Sequence, residues 1–403
     1  MKKYLIILVI FLSFSCENDT PEPEIELCEV DYSTLHTGIN TLTSHYQPMN
    51  IPFVDYAKAL DIELPAYGTF TLWSSFGNFN NNDIADYVVV ATGGESWEDL
   101  PPGEITVIVD DSPKFIINNP QSFTRKVSIY DLNKDGIDDI VLFGHGPEFG
   151  NPWPGDKNVV IYIFESSYEI EEIGRNGFHH GGSVGALSEN NISILQLNSQ
   201  AFITDVEGYL TMMTNTGNGW IEENTNITTH HISRTYQSEL FDFNKDGNLD
   251  LILGGHEWEE SWMFSSPRPV LWQNHILLGL GDGQFDVDNP ILLPQISNWG
   301  VITDFDIYDL DNDGLEEIIV TRTTGKEGAG SNLIEGEFYD GIKIQLLKAN
   351  GNSWYEWKRL ESPDVTSLHF PWAHKTTCLL YTSPSPRDQR GSGLPSWGWK
   401  KKG

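Results

Sequence analysis

An acidic nine-residue segment recurs between apolar runs, and that recurrence restricts the fold more than any other property of the chain. The string VSIYDLNKDGIDDIVLFG (127–144) returns as ELFDFNKDGNLDLILGG (239–255), as DIYDLDNDGLEEIIVTR (306–322), and in worn form as SFGNFNNNDIADYVVVATGG (75–94). In each copy β-branched and apolar residues flank a knot of Asp, Asn and Gly, the pattern of strand, tight loop, strand. A second unit follows each copy: TVIVDDSPKFII from 106, VIYIFESSYEIEEI from 160, ILLGLGDGQFDV from 276 and IKIQLLKANGNSWYEW from 342. These read as hairpins with Gly, Asn, Asp or Ser at the turn and an aromatic just beyond it. A further hairpin, YLTMMTNTGNGWIEE from 209, implies a fifth loop near SVGALSENNISIL (183–195) that has lost its acidic pattern.

Two hairpins per repeat make four antiparallel strands, recurring at a spacing of roughly 50 to 70 residues with almost no helical periodicity. The expectation is an all-β chain, a β-propeller of four-stranded antiparallel blades with five blades visible. A solenoid of sandwiched strands is the alternative, but its repeats are usually shorter and more uniform.

The loops carry the chemistry of a hard cation. Calcium takes six to eight oxygens in a flexible shell, and a tight loop supplies them from alternate side chains plus one carbonyl. In the first strong loop these are Asp131, Asn133, Asp135, the carbonyl of Ile137, and Asp139. The second offers Asp242, Asn244, Asp246, the carbonyl of Asn248, and Asp250; the third offers Asp309, Asp311, Asp313, the carbonyl of Leu315, and Glu317. Gly136, Gly247 and Gly314 stand at the sixth position, where the chain needs a left-handed turn. The twelfth position, which an EF-hand gives to a bidentate Glu, is Leu142, Leu253 and Val320, so these are not EF-hands. Asn78, Asn80, Asn82 and Asp86 form a poorer fourth set, with Asp83 where the glycine should be. Calcium is expected ahead of magnesium, which demands stricter geometry and keeps its waters. The ion's first role would be structural, neutralising carboxylates and fixing the turn; acidic turns without an ion are the other reading.

Asp131 to Asp139, Asp242 to Asp250 and Asp309 to Glu317, together with LLGLGDGQF, resemble FG-GAP/VCBS repeats, which integrin α-subunit propellers and many bacterial surface proteins share. The resemblance runs from about Ser75 to Trp357, with loop and hairpin always in one order. It implies a calcium-bearing propeller, commonly of seven blades. Residues 29 to 66 would then supply a further blade or closing strands.

The two ends differ from the rest. MKKYLIILVIFLSFSC opens with two lysines and an apolar run too short to span a bilayer, and reads as a secretory signal over residues 1–15. Cys16 after a small residue resembles the lipobox of bacterial lipoproteins, although Ser13 stands where leucine is usual. A plain cleaved signal with an incidental cysteine is the alternative. The acidic, Pro-interrupted stretch over 16–28 reads as a tether, and its acidic residues after the cysteine resemble surface-export signals of Bacteroidota lipoproteins. A lipid anchor in the bacterial outer membrane, surface-exposed or periplasm-facing, is the corresponding location. Residues 29–377 are assigned to the propeller. The basic segment 378–403 shares nothing with the preceding sequence. Back-translated, Cys378 to Asp388 looks like the mosaic end and adapter of a transposase sequencing library, so the natural chain is read as ending near Thr377, truncated within its gene; a genuine basic tail is the alternative.

Charge sets limits on partners. With 24 basic against 58 acidic residues the formal net charge is −34, which repels nucleic acid and anionic lipid and attracts divalent cations. Of the three cysteines only Cys16 and Cys28 precede the basic tail, so no intrachain disulfide framework is available once Cys16 is lipidated.

If each acidic loop joins the first two strands of a blade, the following connections emerge on the opposite face. Six of the eleven histidines (145, 179, 180, 230, 231, 256) and five tryptophans (97, 153, 258, 262, 299) fall in those connections. Trp97, His145, Trp153, His179, His230, His256, Trp258, Glu259 and Trp299 are therefore the candidate ligand-binding residues for a glycan or a surface or extracellular protein. Packing of these rings against one another is the other reading. No nucleophile elbow, HExxH, P-loop or dinucleotide fingerprint is present, and no catalytic residue is assigned. A polysaccharide lyase using His145, His256, His179, His230, Arg175 or Arg234 is one alternative to a binding module, and a docking subunit of an outer-membrane assembly is another.

Overall fold

The computed structural model describes residues 72–82, 86–91, 103–110, 112–146, 155–188, 191–198, 209–217, 219–228, 235–255, 273–296, 299–311, 313–323, 343–351 and 353–361. All of their regular structure is β. Blade 1 comprises β1 (Leu72–Gly77), β2 (Asp86–Ala91), β3 (Glu104–Val109) and β4 (Ser112–Asn118). Blade 2 comprises β5 (Thr124–Tyr130), β6 (Asp139–Gly144), β7 (Asp156–Ile163) and β8 (Tyr168–Gly177). Blade 3 is built from β9 (His179–Ala186), β10 (Ile192–Asn198), β11 (Tyr209–Asn215) and β12 (Trp220–Thr228). In blade 4, β13 (Thr235–Phe241), β14 (Asp250–Gly255) and β15 (His275–Leu277) are followed by a small hairpin, β16 (Gly279–Gly281) with β17 (Gln284–Phe285), and then by β18 (Ile291–Leu292). Blade 5 comprises β19 (Val301–Tyr308), β20 (Glu317–Thr323), β21 (Lys343–Asn350) and β22 (Ser353–Glu361).

Each four-stranded sheet is an antiparallel meander in chain order, and the first strands pack in succession, β1 on β5, β5 on β9, β9 on β13 and β13 on β19. Second strands explain the arrangement best. Asp139–Gly144, DIVLFG, is buried along its whole length. Ile140 and Leu142 join a cluster with Val88, Val90 and Ile105 of blade 1, while Val141 and Phe143 join Ile192 and Ile194 of blade 3. A strand covered on both faces reads as a continuous apolar run because its period-two alternation serves two cores. The same sharing joins blades 3 and 4 through Leu195, Leu251 and Leu253, and blades 4 and 5 through Ile252, Ile276, Ile318 and Val320. Full burial of one such side chain contributes about 1.5–3 kcal/mol, so each blade-to-blade interface is strongly stabilising. Sheets standing face to face around successive first strands are blades. The chain is a β-propeller, five blades of which lie among the described residues.

Blade 3 makes its close approach with small residues. A methyl group built on Gly182 would lie 2.1 Å from Cε1 of Phe143, and one on Gly181 would lie 2.4 Å from the carbonyl oxygen of Tyr236. In blade 4 the sequence expectation needs correcting. LGLGDGQF closes the separate β16–β17 hairpin, and the fourth strand is the short pair Ile291–Leu292 on β15. Glycines at 279, 281 and 283 turn the chain out of the blade before the outer edge is complete, with positive φ at Gly281 and Gly283.

The meander order puts the connections between first and second strands, and between third and fourth, on one face of the propeller. Those between second and third strands, and from each blade to the next, lie on the other.

Candidate functional site

Every acidic loop joins a first strand to a second, as expected, and four of them share one hydrogen-bond frame. The first-position side chain accepts from the fifth-position amide: Asp131 from Asp135 at 3.1 Å, Asp242 from Asp246 at 3.0 Å, Asp309 from Asp313 at 3.0 Å and Asn78 from Asn82 at 3.1 Å. Its second oxygen, in the three aspartates, takes the glycine amide at position six: Gly136 at 3.0 Å, Gly247 at 2.9 Å and Gly314 at 2.9 Å. The fifth-position carboxylate accepts from position seven: Asp135 from Ile137, Asp246 from Asn248 and Asp313 from Leu315, at 2.8 to 2.9 Å. Gly136, Gly247 and Gly314 have φ near +90°, and the fourth position is also left-handed at Asn81, Lys134 and Lys245. Local Asx-type bonding of this kind shapes the turn before any ion arrives.

The ninth position behaves differently from the rest. Asp139 is fully buried; one oxygen accepts from the amide of Leu132 and the other from Ile163 at the end of the third strand, both at 2.9 Å. Asp250 repeats this with Phe243 at 2.9 Å and Gly279 at 2.7 Å, and Asp86 with Phe79 at 2.9 Å and Asp110 at 3.3 Å. Each carboxylate thus ties its loop to the end of the third strand or to the residues just past it. Burial raises the Asp139 carboxyl to about 7 and Asp250 to about 6, against the lowering effect of their amide donors; nearby Asp131 and Asp135, or Asp242 and Asp246, add to the rise. Asp86, Asp131 and Glu317 are raised by burial as well. A cation in the loop would offset that cost, and each carboxylate oxygen retains a second lone pair to offer it.

Glu317 departs from the pattern. Its Oε2 accepts from Leu310 at 2.7 Å, but its buried Oε1 accepts no hydrogen bond. Among the described residues, Asp309, Asp311 and Glu317 are the one group of three acidic side chains with oxygens within 4.8 Å of one another. In the other two strong loops the third position is an amide, and Asn133 and Asn244 donate to Asp135 at 3.1 Å and to Asp246 at 2.8 Å.

Neighbouring loops are tied together along their face. Asn78 donates its amide to the Asp138 carboxylate at 2.7 Å and accepts the Asp138 amide at 2.8 Å, and Lys245 pairs with Glu316 at 2.5 Å.

On the opposite face the described histidines are buried, contrary to the expectation that they are exposed for ligand binding. His145 is fully buried, stacked between Phe123 (centroids 4.7 Å apart) and Phe178 (4.3 Å), with His180 at 4.8 Å. His180 in turn meets Tyr236 edge-on at 4.4 Å. His179 is buried too, its Nε2 facing the Arg175 carbonyl at 3.4 Å. Burial pushes the His145 imidazole well below its usual range and His179 down to about 4. These rings pack between blades and do not project as a recognition surface. Arg175 is exposed but grips Glu222 of the neighbouring blade with two nitrogens at 2.8 to 3.1 Å, on the outer strands. Trp299 is half-buried; its ring lies 4.6 Å from Lys343 Nζ, and its carbonyl accepts from Arg322 at 3.2 Å. Trp97, Trp153, His230, His256, Trp258 and Glu259 lie outside the described residues, as do Cys16, Arg234 and both terminal segments.

Three cations were not singled out from sequence. Arg322 is 1 % exposed and donates to Gln345 at 2.8 Å and to the Pro294 carbonyl at 3.0 Å. Lys126 of β5 is buried against Glu239 of β13 at 2.9 Å and the Ser238 carbonyl, reaching past the first strand of blade 3. Lys348 meets the third acidic loop. A charged residue within an otherwise apolar strand, as in EIIVTRT or TRKVSIY, is the signal that marks the first two.

No known family profile matches the chain, and no curated protein matches it by sequence. Solved structures do. A lectin from Agrocybe aegerita, described as recognising non-reducing terminal N-acetylglucosamine, aligns at TM-score 0.37 and 12% identity over 77% of this chain and 84% of its own. A beta-fructofuranosidase from Bombyx mori, solved with sucrose, aligns at 0.39 and 10% over 72% and 63%. A quinoprotein alcohol dehydrogenase-like protein from Bacteroides thetaiotaomicron aligns at 0.36 and 11% over 77% and 72%. Likeness at this level carries no functional argument.

Proposed function

We propose that the chain is a calcium-stabilised, lipid-anchored surface propeller of the FG-GAP/VCBS type that binds a glycan or protein partner through the face opposite its acidic loops. The observation that carries this reading is the segregation of connections. The loops with the oxygen pattern all occupy one face, where their own amides preshape them. The Trp- and His-rich connections belong by topology to the other. Calcium would be held by Asp131, Asn133, Asp135 and Asp139, and by Asp242, Asn244, Asp246 and Asp250, with the Ile137 and Asn248 carbonyls. Its task is to stabilise blade corners, leaving the opposite face for recognition. Trp97, Trp153, Trp258 and Trp299 supply the stacking surfaces of that face, with Glu259, His230 and His256 for hydrogen bonds.

The lyase alternative loses three of its candidates, since His145 is buried in a ring stack, His179 is buried against the Arg175 carbonyl, and Arg175 is engaged by Glu222. A glycan array probed with recombinant residues 29–377 tests the leading reading. Saturable binding that weakens in Trp258→Ala supports it, and an array without signal favours a protein-docking role. Release of unsaturated products from uronate polymers, seen as new ultraviolet absorbance, would establish the enzyme instead.

A further inference from the structure

The loop 309–317 contains a cation supplied by the chain. Lys348 Nζ lies 2.5 Å from Asp311 Oδ2, 2.6 Å from Asp313 Oδ2 and 3.4 Å from Glu317 Oε1. Among the described residues, no other acidic-loop blade has a charged residue at the position that corresponds to Lys348. Lys348 follows Leu347, the partner of Ile318, which is the residue after the ninth-position acid. In the other acidic-loop blades, the register pairs Ile140 with Ile161, Leu251 with Leu277 and Tyr87 with Ile108. The residues that correspond to Lys348 are therefore Tyr162, Leu278 and Val109.

The lysine arrives together with a second change. Loops 131–139 and 242–250 have Asn at the third position and three carboxylates among positions one, three, five and nine; loop 309–317 has four, because Asp311 replaces the amide. The amide's donor is lost with it, and Lys348 supplies the missing bridge between the third and fifth positions. The ammonium also faces Glu317 Oε1, the buried oxygen that accepts no hydrogen bond. In blades 2 and 4 the corresponding oxygen takes a backbone amide, that of Ile163 at the end of the third strand and that of Gly279 just past it. A divalent ion would need the same oxygens of Asp311, Asp313 and Glu317, so lysine and metal compete for one place.

We propose that Lys348 is a tethered counter-ion occupying the cation position of loop 309–317, so that this loop binds calcium more weakly than loops 131–139 and 242–250. The inference rests on the calcium reading of those two loops. It assigns the three strong loops to two kinds: two that depend on dissolved calcium and one that is closed by the protein itself.

Calorimetric titration of the metal-stripped protein with calcium chloride tests this. The wild type is expected to show two tighter sites, with the third weaker or silent. Lys348→Met removes the competitor and tightens the third site by roughly tenfold or more, equivalent to about 1.4 kcal/mol. Because four carboxylates without a counter-ion would strain the metal-free fold, a second variant combines Lys348→Leu with Asp311→Asn. It reproduces the pattern of Asn244 and Leu278 in blade 4 and is expected to bind a third calcium much as that blade binds its own. Lys348→Met should also lower the melting temperature of the metal-free protein, with calcium restoring it. A third-site affinity within twofold of the wild type in both variants, or three equal sites in the wild type, overturns the proposal and leaves the calcium reading of the first two loops intact. Absence of calcium binding in wild type and variants alike overturns both.

Discussion

Replacing Lys126 by Met would expose how much of the propeller hangs on one buried pair. Lys126 and Glu239 stand on the first strands of blades 2 and 4, both almost wholly buried, with 2.9 Å between Nζ and Oε1; Nζ also donates to the Ser238 carbonyl. Removing the ammonium takes from a largely buried carboxylate the cation 2.9 Å away, and loss of one partner of a buried pair costs about 3–5 kcal/mol. The methionine stem recovers part of the packing, so the lower half of that range is expected. For a domain of this size such a loss lowers the melting temperature on the order of 10 °C. Thermal denaturation followed by circular dichroism, in chelator and in calcium, gives the shift free of the loop sites. The double variant Lys126→Met with Glu239→Gln should recover a large part of the loss, because the buried anion is then removed together with its cation. A single Lys126→Met within about 1 kcal/mol of wild type, or a double variant that simply adds the two single losses, would refute the claim that the pair acts as a unit.

Three further expectations follow from the structure. Chelation should lower the melting temperature, and Asp135→Ala should remove part of that response by about the share of one loop; an identical melting curve with and without chelator contradicts the calcium reading. His179, held down to about 4 by burial, stays neutral while its unfolded counterpart protonates below about 6.5, so the unfolded chain binds more protons in that window. Stability should therefore fall by up to about 3 kcal/mol as pH drops from 6.5 toward 4, and His179→Gln should flatten the slope in denaturant titrations at stepped pH. Gly182→Ala should destabilise by about 1–3 kcal/mol, since its methyl would overlap Phe143, and Phe143→Leu in the same chain should recover some of that loss.

Much of the architecture is legible from the residues because the strands are apolar runs between turn residues and the acidic loops mark the first turn of four of the five blades. Even the third blade, without its acidic pattern, is located by its hairpin: the turn implied near 183–195 is the one between β9 and β10. Blade 4 is less legible, since the hairpin after Leu277 has the residues of an outer edge yet leaves the sheet. The glycines that let it turn look the same in either role. The site is harder to read. The oxygens of each loop are local and visible in the string. The tie from Asp139 to Ile163 and the grip of Lys348 on Asp311 and Asp313 join strands that are neighbours only after folding. For His145 and His179, side-chain chemistry suited to binding does not reveal burial. The residues that stack on His145, Phe123 and Phe178, are brought to it by two different blade connections, and no local pattern announces that.

The amide frame shared by the acidic loops makes their centres interchangeable. A corner that holds its outline with its own backbone donors can accept an ion, an ammonium or plain amides without forcing the strands to rearrange. If the corners are filled as assigned above, falling calcium would not loosen the molecule evenly. Blades 2 and 4 would soften first while blade 5 stays latched, and the disc would respond to its surroundings as a lopsided spring, pliant on one side and stiff on the other.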